Sequence, residues 1–264
     1  MLYMLTIKNK IALIATSDSI LVKAKELARQ LNLPLVEHNQ SSSYPFLLAV
    51  TPERLELRES NIKSSKPIYV DFLAPSLSYR IKYGGGNKQL IAKAIGIKSG
   101  IRLTVLDTTT GLGVDAFLLA SLGCNVVMLE RSPIIWALLR DGLGRFKKNA
   151  LVKNIKMELY CLQAQNYLIE IIHTKIKKPD VIYLDPMYPE RQKAALGKKT
   201  MRVLHELVGA DNDATELLTL ALQCANKRVV VKRLSYAPNL SLIKPNLKFS
   251  ANGSCRYDVY FVEK

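Results

Sequence analysis

The chain has 264 residues, room for one large domain or a standard domain with a smaller one. Lys and Arg outnumber Asp and Glu by 38 to 22, a formal charge of +16, yet 48% of residues are hydrophobic. That balance excludes a basic disordered tail and points to a globular fold with a polyanionic partner, most simply nucleic acid. No apolar run approaches the roughly 18 residues of a membrane span, so no membrane association is expected. Lys8 and Lys10 interrupt the apolar N-terminus, and no small-residue cleavage site follows. Cys124, Cys161, Cys224 and Cys255 form no C-x-x-C pair, which disfavours a zinc knuckle and fits reduced thiols in the cytoplasm. His38, His173 and His205 have no partner at a metal-ligand spacing, so no metal is expected.

In chain order, residues 1–66 read as a small α/β domain. Residues 11–16, 33–37, 46–50 and 55–58 have strand character, and 19–31 carry helical spacing through Ile20, Ala24, Leu27 and Leu31. Ser64, Ser65 and Pro67 mark the boundary to a second domain, 67–264. From about residue 90 strands alternate with helices. Strands are expected over 102–107, 125–130, 155–161, 180–185 and 228–232. Helices fall over 113–122, from Ser132-Pro133 to 149, over 165–175 and over 213–225. Ser132 is an N-cap with Pro133 at the first helical position, and Asp213 to Glu216 reads as a capping box. Residues 248–249 and 257–262 suggest a closing antiparallel hairpin. This alternation predicts an α/β fold, a doubly wound Rossmann-like sheet with ligands at the carboxyl ends of its strands.

Asp107 ends the first strand of the second domain, and Gly111-Leu112-Gly113 leads into its helix. Gly111 and Gly113 let the backbone approach a ligand closely, and Gly111-x-Gly113-x-x-Ala116 also satisfies a dinucleotide fingerprint. Asp107 separates the readings. Its carboxylate would repel a diphosphate and welcome a cation such as the ammonium of S-adenosyl-L-methionine. Glu130 ends the next strand, where a carboxylate can take the hydroxyls of a ribose. Gln163, after the third strand, either meets the adenine edge or is an ordinary polar residue at a helix start.

The fourth strand ends in Asp185-Pro186-Met187-Tyr188-Pro189. Two prolines stiffen this turn and leave its carbonyls without helical partners. An exocyclic amine is a poor nucleophile, and the Asp185 carboxylate with the Pro186 carbonyl can hold its hydrogens as charge develops on nitrogen. Tyr188 offers a face on which a flipped base can stack.

Several strings resemble one bacterial family. They are Tyr83 to Asn87, Asp107 to Phe117, Glu130 to Pro133, Leu184 to Pro189, Lys198 to Val203 and Val229 to Arg233. The chain is similar there to the small-subunit ribosomal RNA guanine-N2 methyltransferases of the RsmJ family, which are class I S-adenosyl-L-methionine-dependent enzymes. The resemblance covers about residues 70–262. It implies methylation of the exocyclic N2 of a guanine near the 3′ end of 16S ribosomal RNA, with S-adenosyl-L-homocysteine as product. Cofactor contacts are then implied at Val114, Asp115, Glu130, Arg131, Gln163, Ala164 and Asp185. Met187 departs from the wider Asp/Asn-Pro-Pro-Tyr/Phe motif of base-amino methyltransferases, which has a second proline there. The sequence departs from the family itself at Val114, usually arginine, and at Gln163 and Ala164, usually small hydroxyl residues.

Arg80, Lys82 and Lys88 bracket Gly84 to Gly86, either an RNA-approach loop or an interdomain hinge. Arg191, Lys193, Lys198, Lys199 and Arg202 follow the Asp185 turn and are expected to clamp RNA, joined by Lys232 and Arg233. Competing readings are another base-amino methyltransferase, such as an adenine-N6 enzyme, a nicotinamide oxidoreductase and a non-catalytic RNA-binding protein. Asp107 and the Asp185 turn oppose the oxidoreductase, and the intact acids oppose the non-catalytic reading.

Overall fold

The structure is a computed structural model that describes residues 9–62, 65–148, 155–186, 198–209, 213–251, 253 and 255–262. The chain forms two compact units. One takes residues 1–71, 132–148 and 192–209, the other 72–131, 149–191 and 210–264.

The first unit holds a three-stranded sheet, β1 (Ile11–Ala15), β2 (Phe46–Val50) and β3 (Leu55–Glu59), in that order. β1 and β2 are parallel, β2 and β3 antiparallel. The first helix, α1 (Leu21–Leu31), buries Ala24, Leu27, Ala28 and Leu31, the single stripe that a 3.6-residue period produces. Residues 33–37 do not form the expected strand. Pro34 has no N–H to give, so pairing stops at Leu13 donating to the Pro34 carbonyl and Val36 donating to the Leu13 carbonyl.

The second unit is built on a seven-stranded sheet. Its strands are β4 (Thr104–Asp107), β5 (Asn125–Leu129), β6 (Lys156–Tyr160), β7 (Val181–Leu184), β8 (Arg228–Leu234), β9 (Leu247–Ser250) and β10 (Cys255–Phe261). Their spatial order is β6-β5-β4-β7-β8-β10-β9. β4 to β8 run parallel, while β10 inserts antiparallel between β8 and β9. The order reverses at β4, so the crevice beyond its carboxyl end is the switch point where a doubly wound sheet binds ligands. The helices of this unit are α2 (Pro75–Tyr83), α3 (Leu90–Ile95), α4 (Val114–Ser121), α6 (Ala164–His173) and α8 (Ala214–Cys224). Between α4 and α6 in the chain lies α5 (Pro133–Lys147), and before α8 lies α7 (Lys198–Val208), both within the first unit. Leu168, Ile171, Leu218 and Ala221 of α6 and α8 pack on Ile182, Leu184, Val229 and Val231 into one apolar core. That layer fixes the strands whose ends carry the polar residues.

Ser132 caps α5 as expected, accepting from the Ile135 amide at 3.5 Å with Pro133 in the first turn. Asp213 does not cap α8 with its side chain. It accepts instead from Gln165 and pairs with Arg131 at 3.8 Å. Among the described residues no helix is long and apolar enough to cross a membrane.

Candidate active site

Parallel pairing aligns Asp107 with Met128 on one side and Tyr183 on the other. The amide and hydroxyl of Thr108 both donate to the Tyr183 carbonyl at 3.0 Å, locking the loop to β7. Gly111 and Gly113 then take φ values of +56° and +77°, which a residue with a Cβ rarely adopts. The Gly113 amide closes a turn on the Thr110 carbonyl at 2.9 Å, and α4 starts at once. A Cβ on Gly111 would meet no atom within 4 Å, so open space lies in front of the loop backbone. Two carboxylates hold this loop: Asp107 accepts from the Thr109 amide and Glu130 from the Gly111 amide, both at 3.2 Å.

Asp107 is only 2% exposed. Burial pushes its carboxyl well above the ordinary value, and the charges of Asp115 and Asp185 push the same way. A cation arriving here would relieve all three effects.

Asp115, in the first turn of α4, faces a different environment. Lys232 Nζ donates to it at 2.7 Å, the Tyr183 hydroxyl at 2.8 Å and Arg80 at 3.4 Å. Burial raises its pKa, but Lys232, the Tyr183 hydrogen bond and Arg80 outweigh burial and leave the carboxyl below its ordinary value. Lys232 also donates to Asp185 at 2.8 Å. Burial would lower the lysine's pKa, yet Asp185 and Asp115 together hold it above the usual range, so it stays an ammonium. The Asp185 amide in turn donates to the Thr109 hydroxyl. The Asp185 side chain keeps 39% exposure, the most open of the acids in this network.

The structure thus brings Asp107, Gly111, Gly113, Asp115, Glu130, Asp185 and Lys232 to the carboxyl ends of β4, β5, β7 and β8. Val114 is exposed, Gln163 is exposed at the start of α6, and Ala164 is buried behind it. Pro186 is buried, whereas Tyr188 lies outside the described residues.

The expected RNA-binding cations are placed unevenly. Lys82 and Lys88 are exposed, and Arg80 turns to Asp115. Arg202 pairs with Glu59 and with Glu206. Lys232 and Arg233 do not form the open rim expected of them. Lys232 is held between two carboxylates, and Arg233, 4% exposed, donates to the Pro238 carbonyl. Arg256 binds the carbonyls of Leu234 and Ser235, so the two arginines pin the turn that follows β8. Arg191 and Lys193 lie outside the described residues, as do the side chains of Lys198 and Lys199.

The sequence reading missed Tyr183 and Thr109 as site residues. Tyr183 precedes Asp185 by two, so alternation along the strand expected over 180–185 already placed both on the same face. Nothing local announced that its hydroxyl would reach α4.

The family described as "Putative SAM-dependent methyltransferase" matches residues 26–262. The chain belongs to this SAM-dependent methyltransferase family. A protein of Coxiella burnetii (strain RSA 493 / Nine Mile phase I) named "Ribosomal RNA small subunit methyltransferase J" is 48% identical over 97% of this chain and 98% of its own length. One of the same name from Aeromonas salmonicida (strain A449) is 47% identical over 90% and 92%. The crystal structure of a SAM-dependent methyltransferase from Neisseria gonorrhoeae superposes with a TM-score of 0.72 at 31% identity, covering 96% of each chain. As a SAM-dependent methyltransferase, the chain takes S-adenosyl-L-methionine as its cofactor. The residues fit that molecule: a buried acid for a cationic amino-acid end, open space at a positive-φ glycine, and a second acid one strand away.

Proposed function

We propose that this protein methylates the exocyclic N2 of a guanine near the 3′ end of 16S ribosomal RNA, acting in the cytoplasm on the RNA or the small ribosomal subunit. The observation that carries the reading is the convergence of Asp107, Glu130 and Asp185 at the ends of three adjacent parallel strands. The resemblance to the guanine-N2 family and the names of the relatives supply the base and the RNA.

In this reading Asp107 holds the cofactor's ammonium, the first-turn amides of α4, which have no intrahelical partner, hold its carboxylate end, and Glu130 takes the ribose hydroxyls. Val114, Asp115, Arg131, Gln163 and Ala164 complete the surround implied by the resemblance. When bound, S-adenosyl-L-methionine supplies a methyl group on a sulfonium, already activated for displacement. The protein's task is therefore orientation rather than strong base catalysis. Asp185 and the Pro186 carbonyl accept the two N2 hydrogens, drawing the nitrogen lone pair out of conjugation with the ring and stabilising positive charge as it develops. As the methyl passes from sulfur to nitrogen, S-adenosyl-L-homocysteine leaves and one N2 proton is lost to Asp185 or water. Lys232 and the Thr109 hydroxyl hold Asp185 in place. Tyr188 stacks on the base, and Lys82 and Lys88 neutralise phosphates. The split of the chain at residue 66 into a small N-terminal domain and a catalytic domain belongs to the same proposal.

Two measurements test this. Calorimetric titration should show binding of S-adenosyl-L-homocysteine and none of NADH; the reverse would overturn the reading. Ribosomal RNA from cells lacking the gene should lack one N2-methylguanosine, and an unchanged nucleoside pattern would count against the substrate.

A further inference from the structure

Helix α2 contributes Arg80 to the site, and its other residues leave a surface that the transfer chemistry does not use. Leu77 is its buried anchor, while Tyr79 and Tyr83, one turn apart, are 66% and 61% exposed. Their ring centroids lie 4.8 Å apart at an interplanar angle of 42°. The two rings therefore make one continuous aromatic face instead of two isolated side chains. Burying either ring against a partner would be favourable.

The stretch of chain that carries that face is cationic. Between Asp71 and Asp107 the sequence carries six cations (Arg80, Lys82, Lys88, Lys93, Lys98 and Arg102) and no acid. Lys82 Nζ sits 5.3 Å from the Tyr83 ring centroid. Immediately beyond the helix, a Cβ on Gly84 would strike the Arg80 carbonyl oxygen, so no residue with a side chain fits there. Gly85 and Gly86 follow with positive φ, leaving a stretch of backbone bare of side chains beside the rings. Aromatic rings interleaved with cations and bare backbone suit a flexible polyanion with flat bases.

We propose that Tyr79 and Tyr83 form a stacking platform for unpaired RNA bases flanking the target nucleotide. The proposal rests on the RNA-methyltransferase reading above and deepens it. Arg80 lies between the two rings in sequence and reaches Asp115, which shares Lys232 with Asp185, so the platform is tethered to the transfer site by a chain of direct contacts. The platform reads no sequence; it holds the strand while the guanine is presented.

The test uses the full-length protein and a short single-stranded RNA carrying 2-aminopurine, whose fluorescence falls on stacking. Tyr79→Ala and Tyr83→Ala should each weaken RNA binding by roughly 5- to 100-fold, the range for loss of one stacked base. Both should relieve the quenching while leaving the salt dependence unchanged, since no phosphate contact is lost. Tyr79→Phe and Tyr83→Phe should bind as the wild type does. S-adenosyl-L-homocysteine affinity and melting temperature should not move in any of the four variants. Unchanged RNA affinity in the double alanine variant would overturn the platform, as would equal losses in the phenylalanine variants. Loss of self-association in the alanine variants with RNA affinity intact would assign the face to a second copy and also overturn it. A wild-type protein that stacks RNA on these rings but transfers no methyl group would leave the platform standing and remove the proposed function.

Discussion

The Lys232 ammonium lies 2.8 Å from the Asp185 carboxylate, which joins the end of β8 to the acid that follows β7. The same nitrogen lies 2.7 Å from Asp115, so one cation bridges a largely buried acid and a more open one. Without it, two carboxylates would face each other and one would protonate.

Lys232→Met should therefore cost about 3 kcal/mol of stability, the low end for a broken buried pair because the lysine keeps 26% exposure. The pH dependence has a definite sign. Asp115 sits below its ordinary value of 3.8, so its stabilising contribution is complete above 3.8 and is lost as pH falls through the lowered value. In Lys232→Met burial and the facing acid raise a carboxyl above its ordinary value, so the sense reverses: stability is lost as pH rises through that raised value, and the deficit against the wild type narrows in acid. Urea titrations across acidic pH would show it, with Lys232→Arg recovering part of the difference.

Asp107 predicts a proton linkage with the opposite sense. Burial, Asp115 and Asp185 raise its pKa, so the cofactor-free protein retains a proton there above 3.8. A cation beside it favours ionisation. Binding of S-adenosyl-L-homocysteine should then release protons and tighten as pH rises through the raised value. Calorimetry in buffers of different ionisation enthalpy measures the release directly, and Asp107→Asn should abolish it.

Glu130→Gln should weaken S-adenosyl-L-homocysteine about 10- to 100-fold, the value of charge-assisted hydrogen bonds to a ribose. The Gly111 amide also loses its charged acceptor, so the glycine loop should exchange its amide hydrogens faster. Titration together with hydrogen exchange would check both effects.

Gly142 tests packing in the first unit. Replacing an exposed helical glycine by alanine normally stabilises by about 1 kcal/mol. Here a Cβ would approach Val70 Cγ1 to 2.6 Å, so overpacking wins. Gly142→Ala should destabilise by about 1–3 kcal/mol in thermal or urea denaturation.

Much of the second unit was legible because its signals are local. Apolar runs ending in Asp107, Glu130 and Asp185 announced strands with acids at their ends, and Gly111 and Gly113 announced a turn needing positive φ. Ser132-Pro133 announced the start of α5. What stayed hidden depends on partners far away in sequence. Lys232 reads as one more basic residue until Asp115, 117 positions earlier, is found against it. Arg233 looked like an RNA contact because its acceptor is a backbone carbonyl, which sequence does not advertise. Helix α2 was hidden differently: Pro75 at its first turn was a start signal, but the exposed Tyr79 and Tyr83 blurred its amphipathic stripe.

The most direct test of the central claim combines the purified protein, S-adenosyl-L-methionine with an isotopically labelled methyl group, and ribosomal RNA from cells lacking the gene. Mass spectrometry of the digested RNA should place the label in N2-methylguanosine at one guanine near the 3′ end of the 16S molecule. Label on an adenine, or no label in the RNA from a protein that binds S-adenosyl-L-homocysteine, would contradict it.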